Sequence, residues 1–234
     1  MTDFIHRLND QNISVRLSRN KRSKRMSLRF DSIKNVLNLT APPRVSQKQM
    51  LGFLERTEGW ILKQVSRAIT SVPFEKNAVI SVLDIDYKIK HQSLYGRLDV
   101  KMQDGSITVY GPEERINMMV TIFLKRHAKS ELERYCEQYA VAIGMAVNKV
   151  TIRDTKSRWG SCSEEGNISL CWRLLLAPKS VAAYVCAHEV AHLKEMNHSP
   201  TFWKIVEDLH PEYKDSKAWL KKNGRELFKY GLGH

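Results

Sequence analysis

Apolar and polar positions alternate over Ile13-Ser14-Val15-Arg16-Leu17, again over Met26-Ser27-Leu28-Arg29-Phe30, and again over Val36-Leu37-Asn38-Leu39. Period two sends successive side chains to opposite faces of an extended chain, so these runs predict strands, joined through a basic turn into a meander with one wet face. Ala41-Pro42-Pro43 breaks the series, and Ser46 stands where a helix N-cap belongs, ahead of Phe53, Leu54, Trp60, Ile61 and Val65 at helical spacing. Alternation resumes over residues 79–83, 87–90, 98–102 and 107–110, with Asp104-Gly105 as a two-residue hairpin turn. At Gly111-Pro112 the period changes. From 113 to about 143 the apolar residues recur as on a long helix, with Glu113 and Glu114 in the first turn, where the helix dipole favours acids.

Residues 149–153 read as a further strand. The segment from Ser157 through Arg158-Trp159-Gly160-Ser161-Cys162 reads as a hairpin, turning at 163–167 and returning over 168–172. Three helices close the chain: one from Pro178 to about Asn197, one opened by Ser199-Pro200 as N-cap and first-turn proline, and a Lys-rich one from about 212 to 228. The expected fold is therefore α+β. A β-rich, basic N-terminal region (1–111) with one helix precedes a helical region (112–234) with a short β-hairpin. No internal repeat, low-complexity stretch or flexible linker is evident, so the two regions are expected to share one compact unit.

The first of these three closing helices carries chemistry. In Ala187-His188-Glu189-Val190-Ala191-His192, the histidines are four apart and so stack on one helix face, able to offer two imidazoles to one metal ion. Glu189 beside them is suited to act as a base toward water without being a ligand. Cys186, Val190 and Leu193 supply an apolar stripe on the opposite face, so the helix packs on a core and shows its histidines to a cleft. His198, at the corner before Ser199-Pro200, is placed to turn back as a third ligand, leaving a fourth position open. This donor set suits zinc, one ion per chain, although other divalent metals also accept three imidazoles.

Charge modifies the picture in the first third. The formal charge is +13, and residues 1–71 hold 14 Lys/Arg against 5 Asp/Glu. Around Lys21, Arg22, Lys24 and Arg25 no acid occurs between Asp10 and Asp31. Such a cluster can attract nucleic acid or an acidic partner, although no base-reading motif accompanies it. No apolar run approaches a membrane span and the first residues carry no apolar leader core, so a cytoplasmic protein with no membrane partner is expected. The four cysteines include no C-x-x-C pair; Cys162 and Cys171 are placed to face each other across the hairpin.

Several motifs together resemble one family. Arg158-Trp159-Gly160-Ser161-Cys162-Ser163, Trp172-Arg173-Leu174, Ala177-Pro178, His188 to Leu193, Asn197-His198-Ser199 and Phe202-Trp203 occur in the order found in the YgjP-like metallopeptidases, zincin relatives near the WLM and SprT-like proteases. Looser likeness extends to Ser18-Arg19-Asn20-Lys21-Arg22, Ala41-Pro42-Pro43 and Trp60-Ile61. The resemblance implies zinc on His188, His192 and His198, with Glu189 catalytic. Cys171 stands where the family usually has Asn, and Glu195 where metzincins, which share the spacing of the third ligand, have glycine.

The activity expected is zinc-dependent hydrolysis of peptide bonds, with a polypeptide as substrate. Trp159 and Gly160 are candidates to hold an extended peptide by strand addition, and Arg158 and Tyr184 to donate to a developing oxyanion. Two alternatives are a DNA-associated SprT-like protease and a zinc-stabilised binding protein without catalysis.

Overall fold

The computed structural model describes all residues except 1, 9–10, 32–33, 67–70, 95, 97, 156–157 and 232–234, so Ser157 of the expected hairpin lies outside the described residues. The fold is α+β, and the chain divides into two compact units, Met1–Ser71 and Val72–His234. The change of period at Gly111-Pro112 marks where strands give way to helix, but the cores divide earlier. Phe74, Ile80, Val82, Ile89, Ile107 and Val109 belong to the same buried cluster as the long helix that follows them.

In the N-terminal unit, β1 (Thr2–Leu8), β2 (Gln11–Arg19), β3 (Ser27–Asp31) and β4 (Val36–Ala41) form one sheet in the order β1-β2-β4-β3. The expected meander is corrected: β2 pairs with β4 in parallel, and β3 lies on the far side of β4. The Arg19 guanidinium donates to the carbonyls of Pro42, Pro43 and Val45, and Asn20 N–H to Ala41 O. These bonds tie the end of β2 to the end of β4, which a meander would separate. Ile13, Val15, Leu37, Leu39 and Ala41 point to the core.

Helices α1 (Gln47–Arg56) and α2 (Glu58–Val65) close this core through Met50, Leu54 and Ile61. Ser46 caps α1 as a full capping box: its side chain accepts from Gln49 N–H while the Gln49 side chain accepts from Ser46 N–H. The one helix expected here is two. At Thr57 the hydroxyl donates to the Phe53 and Leu54 carbonyls, taking up the end of the first helix before the second begins.

The second unit begins with β5 (Val79–Val82), β6 (Ile85–Gln92), β7 (Asp99–Gln103) and β8 (Ser106–Tyr110), ordered β5-β6-β8-β7. Asp104 and Gly105 both have positive φ, 49° and 64°, as a tight hairpin turn requires. Here again the two middle strands are parallel and the outer pairs antiparallel. The two sheets thus have one topology, although no repeat was evident in the sequence. The likeness extends to the closing helix α3 (Ile116–Ala142): Leu37 and Ile107, Leu39 and Val109, Met50 and Val120, Leu54 and Leu124 are buried pairs, each 70 residues apart.

α3 then runs past the point where α1 stops and supports the rest of the unit. The strands β9 (Lys149–Arg153), β10 (Gly160–Cys162) and β11 (Asn167–Cys171) make a sheet ordered β10-β11-β9, leaving β10 at an edge. A 3₁₀ segment, Trp172–Leu176, leads into α4 (Lys179–Ala191), which packs on α3. Val181, Ala182, Val185, Cys186 and Val190 are all buried, and each large apolar side chain among them contributes about 1.5–3 kcal/mol to holding the helix in place. α5 (Pro200–Leu209) and α6 (Tyr213–Leu227) pack on its other sides.

Two expectations about this region change. α4 ends at Ala191 with His192 as C-cap, not near Asn197; the next amide groups turn back to the Val190 and Ala191 carbonyls and tighten the chain. Cys162 lies opposite Ile168 in the hairpin, not opposite Cys171, and all four cysteines are free thiols. Among the described residues no helix is long and apolar enough to cross a membrane.

Candidate metal centre

His188 sits in the last turn of α4, His192 caps it, and His198 occupies the corner before α5. The spacing of four brings the first two rings to a centroid distance of 5.2 Å, and the tightened turn after Ala191 carries the chain round so that the His198 ring lies 5.0 Å from His188 and 4.9 Å from His192. One ring nitrogen of each lies within 4.8 Å of the other two. His188 Nε2 and His198 Nε2 are 3.1 Å apart. Two nitrogens on one tetrahedral zinc, each at about 2.0–2.1 Å, stand roughly 3.3–3.4 Å from each other, so the pair is already near ligand spacing.

The protonation states also suit a cation. Burial pushes His188 down to about 3, with His192, His198 and Lys217 acting in the same direction, so its imidazole is neutral and keeps a lone pair. His192 is lowered too, by burial first, against a hydrogen bond to Glu195 O. That bond, Nδ1 to the carbonyl at 3.1 Å, makes Nδ1 the N–H donor and leaves Nε2 as the acceptor for a metal. His188 Nδ1 is buried with no hydrogen-bond partner among the described residues, so packing holds that ring in place. Much of the packing is Phe202, whose ring lies 4.5–4.9 Å from all three imidazoles. These residues fit a divalent ion.

Glu189, the residue after His188, is only 6% exposed. Burial pushes its carboxyl up to about 8, and the positive charge of Arg158 pulls the other way. The carboxylate lies against β10. A Cβ added at Gly160 would stand 2.5 Å from Glu189 Oε1 and 2.6 Å from Cγ, so only glycine lets strand and side chain meet. The space that the missing side chain of Gly160 leaves is taken by Glu189.

The other sequence-derived candidates are placed variously. Arg158 is exposed, and its carbonyl accepts from Thr155 Oγ1. Trp159 is half-buried and stacks on Phe228 at 4.7 Å, so its ring anchors β10 to the end of α6. Tyr184, one turn before His188, is buried with its ring edge toward that imidazole; burial pushes its hydroxyl up to about 12, leaving it a donor. Lys21, Arg22, Lys24 and Arg25 belong to the N-terminal unit, exposed in the turn between β2 and β3.

Trp203 and Arg173 stand in the family motifs without a role there, and Lys217 stands in none. Trp203 lies 5.7 Å from His188 and 5.8 Å from His198, and Lys217 Nζ sits 4.0 Å over the Trp203 ring. Arg173, only 1% exposed, bonds Asp154 and Tyr230 O and faces the Trp172 and Phe228 rings. The motifs Phe202-Trp203 and Trp172-Arg173-Leu174 were the available signals; Lys217 gave none.

A family profile described as YgjP-like, metallopeptidase domain, matches residues 24–223. Among solved structures, the chain is similar to the metallopeptidase zymogen abylysin of Pyrococcus abyssi, with 30% identity over 40% of this chain and 96% of that one and a TM-score of 0.37. No curated protein matches significantly.

Proposed function

We propose, from the premise that this chain belongs to the YgjP-like metallopeptidase domain family, that it hydrolyses peptide bonds with zinc held by His188, His192 and His198 and with Glu189 as general base. The observation that carries this reading is the convergence of three imidazoles beside a buried carboxylate that no cation neutralises by direct contact among the described residues. Zinc in such a site supplies Lewis acidity, polarising a carbonyl and bringing the pKa of water to about 7. The chain's own part is proton transfer and positioning. Glu189 takes a proton from water at a carboxylate oxygen and hands it to the nitrogen of the departing amine. Its raised affinity for protons, due to burial, suits a group that must both accept and release one near neutral pH.

Polypeptide substrate fits the edge position of β10, where an extended peptide can add as a strand alongside Gly160 and Ser161 and so lie next to Glu189. Tyr184, protonated and adjacent to His188, is the candidate donor to the developing oxyanion. The test is Glu189→Gln, assayed for peptide hydrolysis and, by elemental analysis, for zinc. Turnover should be lost and about one zinc per chain retained. Hydrolysis persisting in the variant would remove Glu189 from the mechanism, and a wild-type chain that binds zinc but cleaves no peptide would favour a binding role.

A further inference from the structure

The repeated topology exposes a difference between its two copies. In the N-terminal unit, α2 lies against α1 and β3, filling the angle between the closing helix and the outermost strand and burying Ile61 completely. The matching angle in the second unit lies between α3 and β7. There the chain does not turn back, because α3 continues through His127, the position 70 residues after Thr57 where α1 stops, and goes on to support α4. The angle is left as a groove of about 500 Å³ with Leu98, Met118, Ile122 and Phe123 among its walls. Leu98 is 61% exposed and Ile122 44%, an unusual display for side chains gathered on one face.

The groove also carries charge. Arg115 and Arg126 stand at its rim, both exposed and neither in an ion pair among the described residues. They lie eleven positions apart, about 16 Å or three turns of helix. Asp99 is the one acid among the lining residues, and its Oδ1 accepts from Val100 N–H. The first copy shows what kind of element fits such an angle, a short amphipathic helix, and the two arginines show what charge it should carry.

We propose that this groove receives an amphipathic α-helix of a partner polypeptide, its apolar face on Met118, Ile122 and Phe123 and its acidic residues on Arg115 and Arg126. The surface is independent of the histidine site, so the proposal stands or falls apart from the proposed hydrolysis.

The test uses the full chain and two fluorescein-labelled 14-residue helical peptides. Both have leucines at i, i+3, i+4 and i+7; one has glutamates near each end and the other lysines at the same positions. Fluorescence anisotropy should show saturable binding of the glutamate peptide, weakened by added salt, and at least tenfold weaker binding of the lysine peptide. Ile122→Glu and Arg126→Glu should each weaken the glutamate peptide about tenfold, with circular dichroism and thermal unfolding showing that both variants fold. Failure of the glutamate peptide to bind the wild-type chain overturns the proposal, as does equal binding to the Ile122→Glu chain or equal binding of the lysine peptide. A wild-type dimer in sedimentation that Ile122→Glu dissolves also overturns it, by assigning the groove to a second copy.

Discussion

Replacing Gly160 by alanine adds one methyl group at the point where β10 meets the proposed general base. Ordinary van der Waals contact for a Cβ begins near 3.4 Å, and here the nearest atoms of Glu189 would be 2.5, 2.6 and 2.7 Å away. Strand or carboxylate must therefore give way by about 0.7–0.9 Å. Glu189 has little room to retreat, being enclosed by α4's own packing. Overpacking of this kind costs about 1–3 kcal/mol of stability, and at roughly 2–4 °C per kcal/mol the melting temperature should fall by about 2–12 °C. The effect on rate should be larger in proportion: a displacement near 1 Å of a reacting group costs about 10²-fold. The three histidines are not touched, so zinc content should be unchanged. The assay is kcat/KM on a peptide substrate beside elemental analysis and a melting curve for Gly160→Ala. A kcat/KM within about threefold of wild type would refute the argument that Gly160 is needed to seat Glu189. Parallel loss of zinc would refute it too, because the damage would then lie in the histidine cluster.

Asp154 and Ser46 give two further predictions. Burial pushes the Asp154 carboxyl up, but bonds from Arg173 and Lys125 outweigh that and hold it below the usual carboxylate range. A depressed folded-state pKa contributes stability above about pH 4 that is lost as pH falls through the folded value. Asp154→Asn should therefore destabilise the protein at pH 7 by about 2–4 kcal/mol, below the full cost of breaking a buried pair because Asp154 is half-exposed; melting curves should show the gap to wild type closing on acidification, and a gap that widens would contradict the sign. Ser46→Ala should cost the N-terminal unit about 1 kcal/mol in denaturant unfolding, while Ser46→Gly should cost only a few tenths, since the role is that of an N-cap; equal losses would point to packing instead.

How much could be read before the structure depended on whether the information was local. The strand runs ending at Leu39 and Tyr110, the Ser46 cap, the Asp104-Gly105 turn and the Ser199-Pro200 helix start are decided by neighbours within a few residues, and all were legible. β1 was not, because Ile5 is exposed and His6 interrupts the alternation that would have marked it. The parallel pairing of β2 with β4 rests on Arg19 reaching carbonyls 23 to 26 residues away, which no periodicity encodes. The unit boundary was hidden for a related reason: alternation shows that Ile80, Ile89 and Ile107 have a dry side, but not that α3 covers it.

At the candidate centre the same division holds. His188, His192 and His198 were legible because helix geometry and one sharp corner suffice to gather them. The meeting of Gly160 with Glu189 was not, since it brings together residues on a sheet edge and a helix that only the three-dimensional packing makes neighbours. The stacking of Trp159 on Phe228 was not legible either, because it depends on where the far end of α6 falls.

The twofold use of one sheet topology also bears on how the chain is made. Two sheets with the same strand order and similar inward residues can exchange partners during folding, and such misassembly is a characteristic hazard of repeated units. Synthesis from the N-terminus separates them in time. At about 5–20 residues per second, the last strand of the second sheet, ending at Tyr110, is complete roughly 2–8 s after residue 71, whereas small domains of this kind fold within seconds or faster. By then Leu37, Leu39 and Leu54 have already been sealed beneath α1 and α2, and the second sheet assembles with no open copy of itself to mispair with.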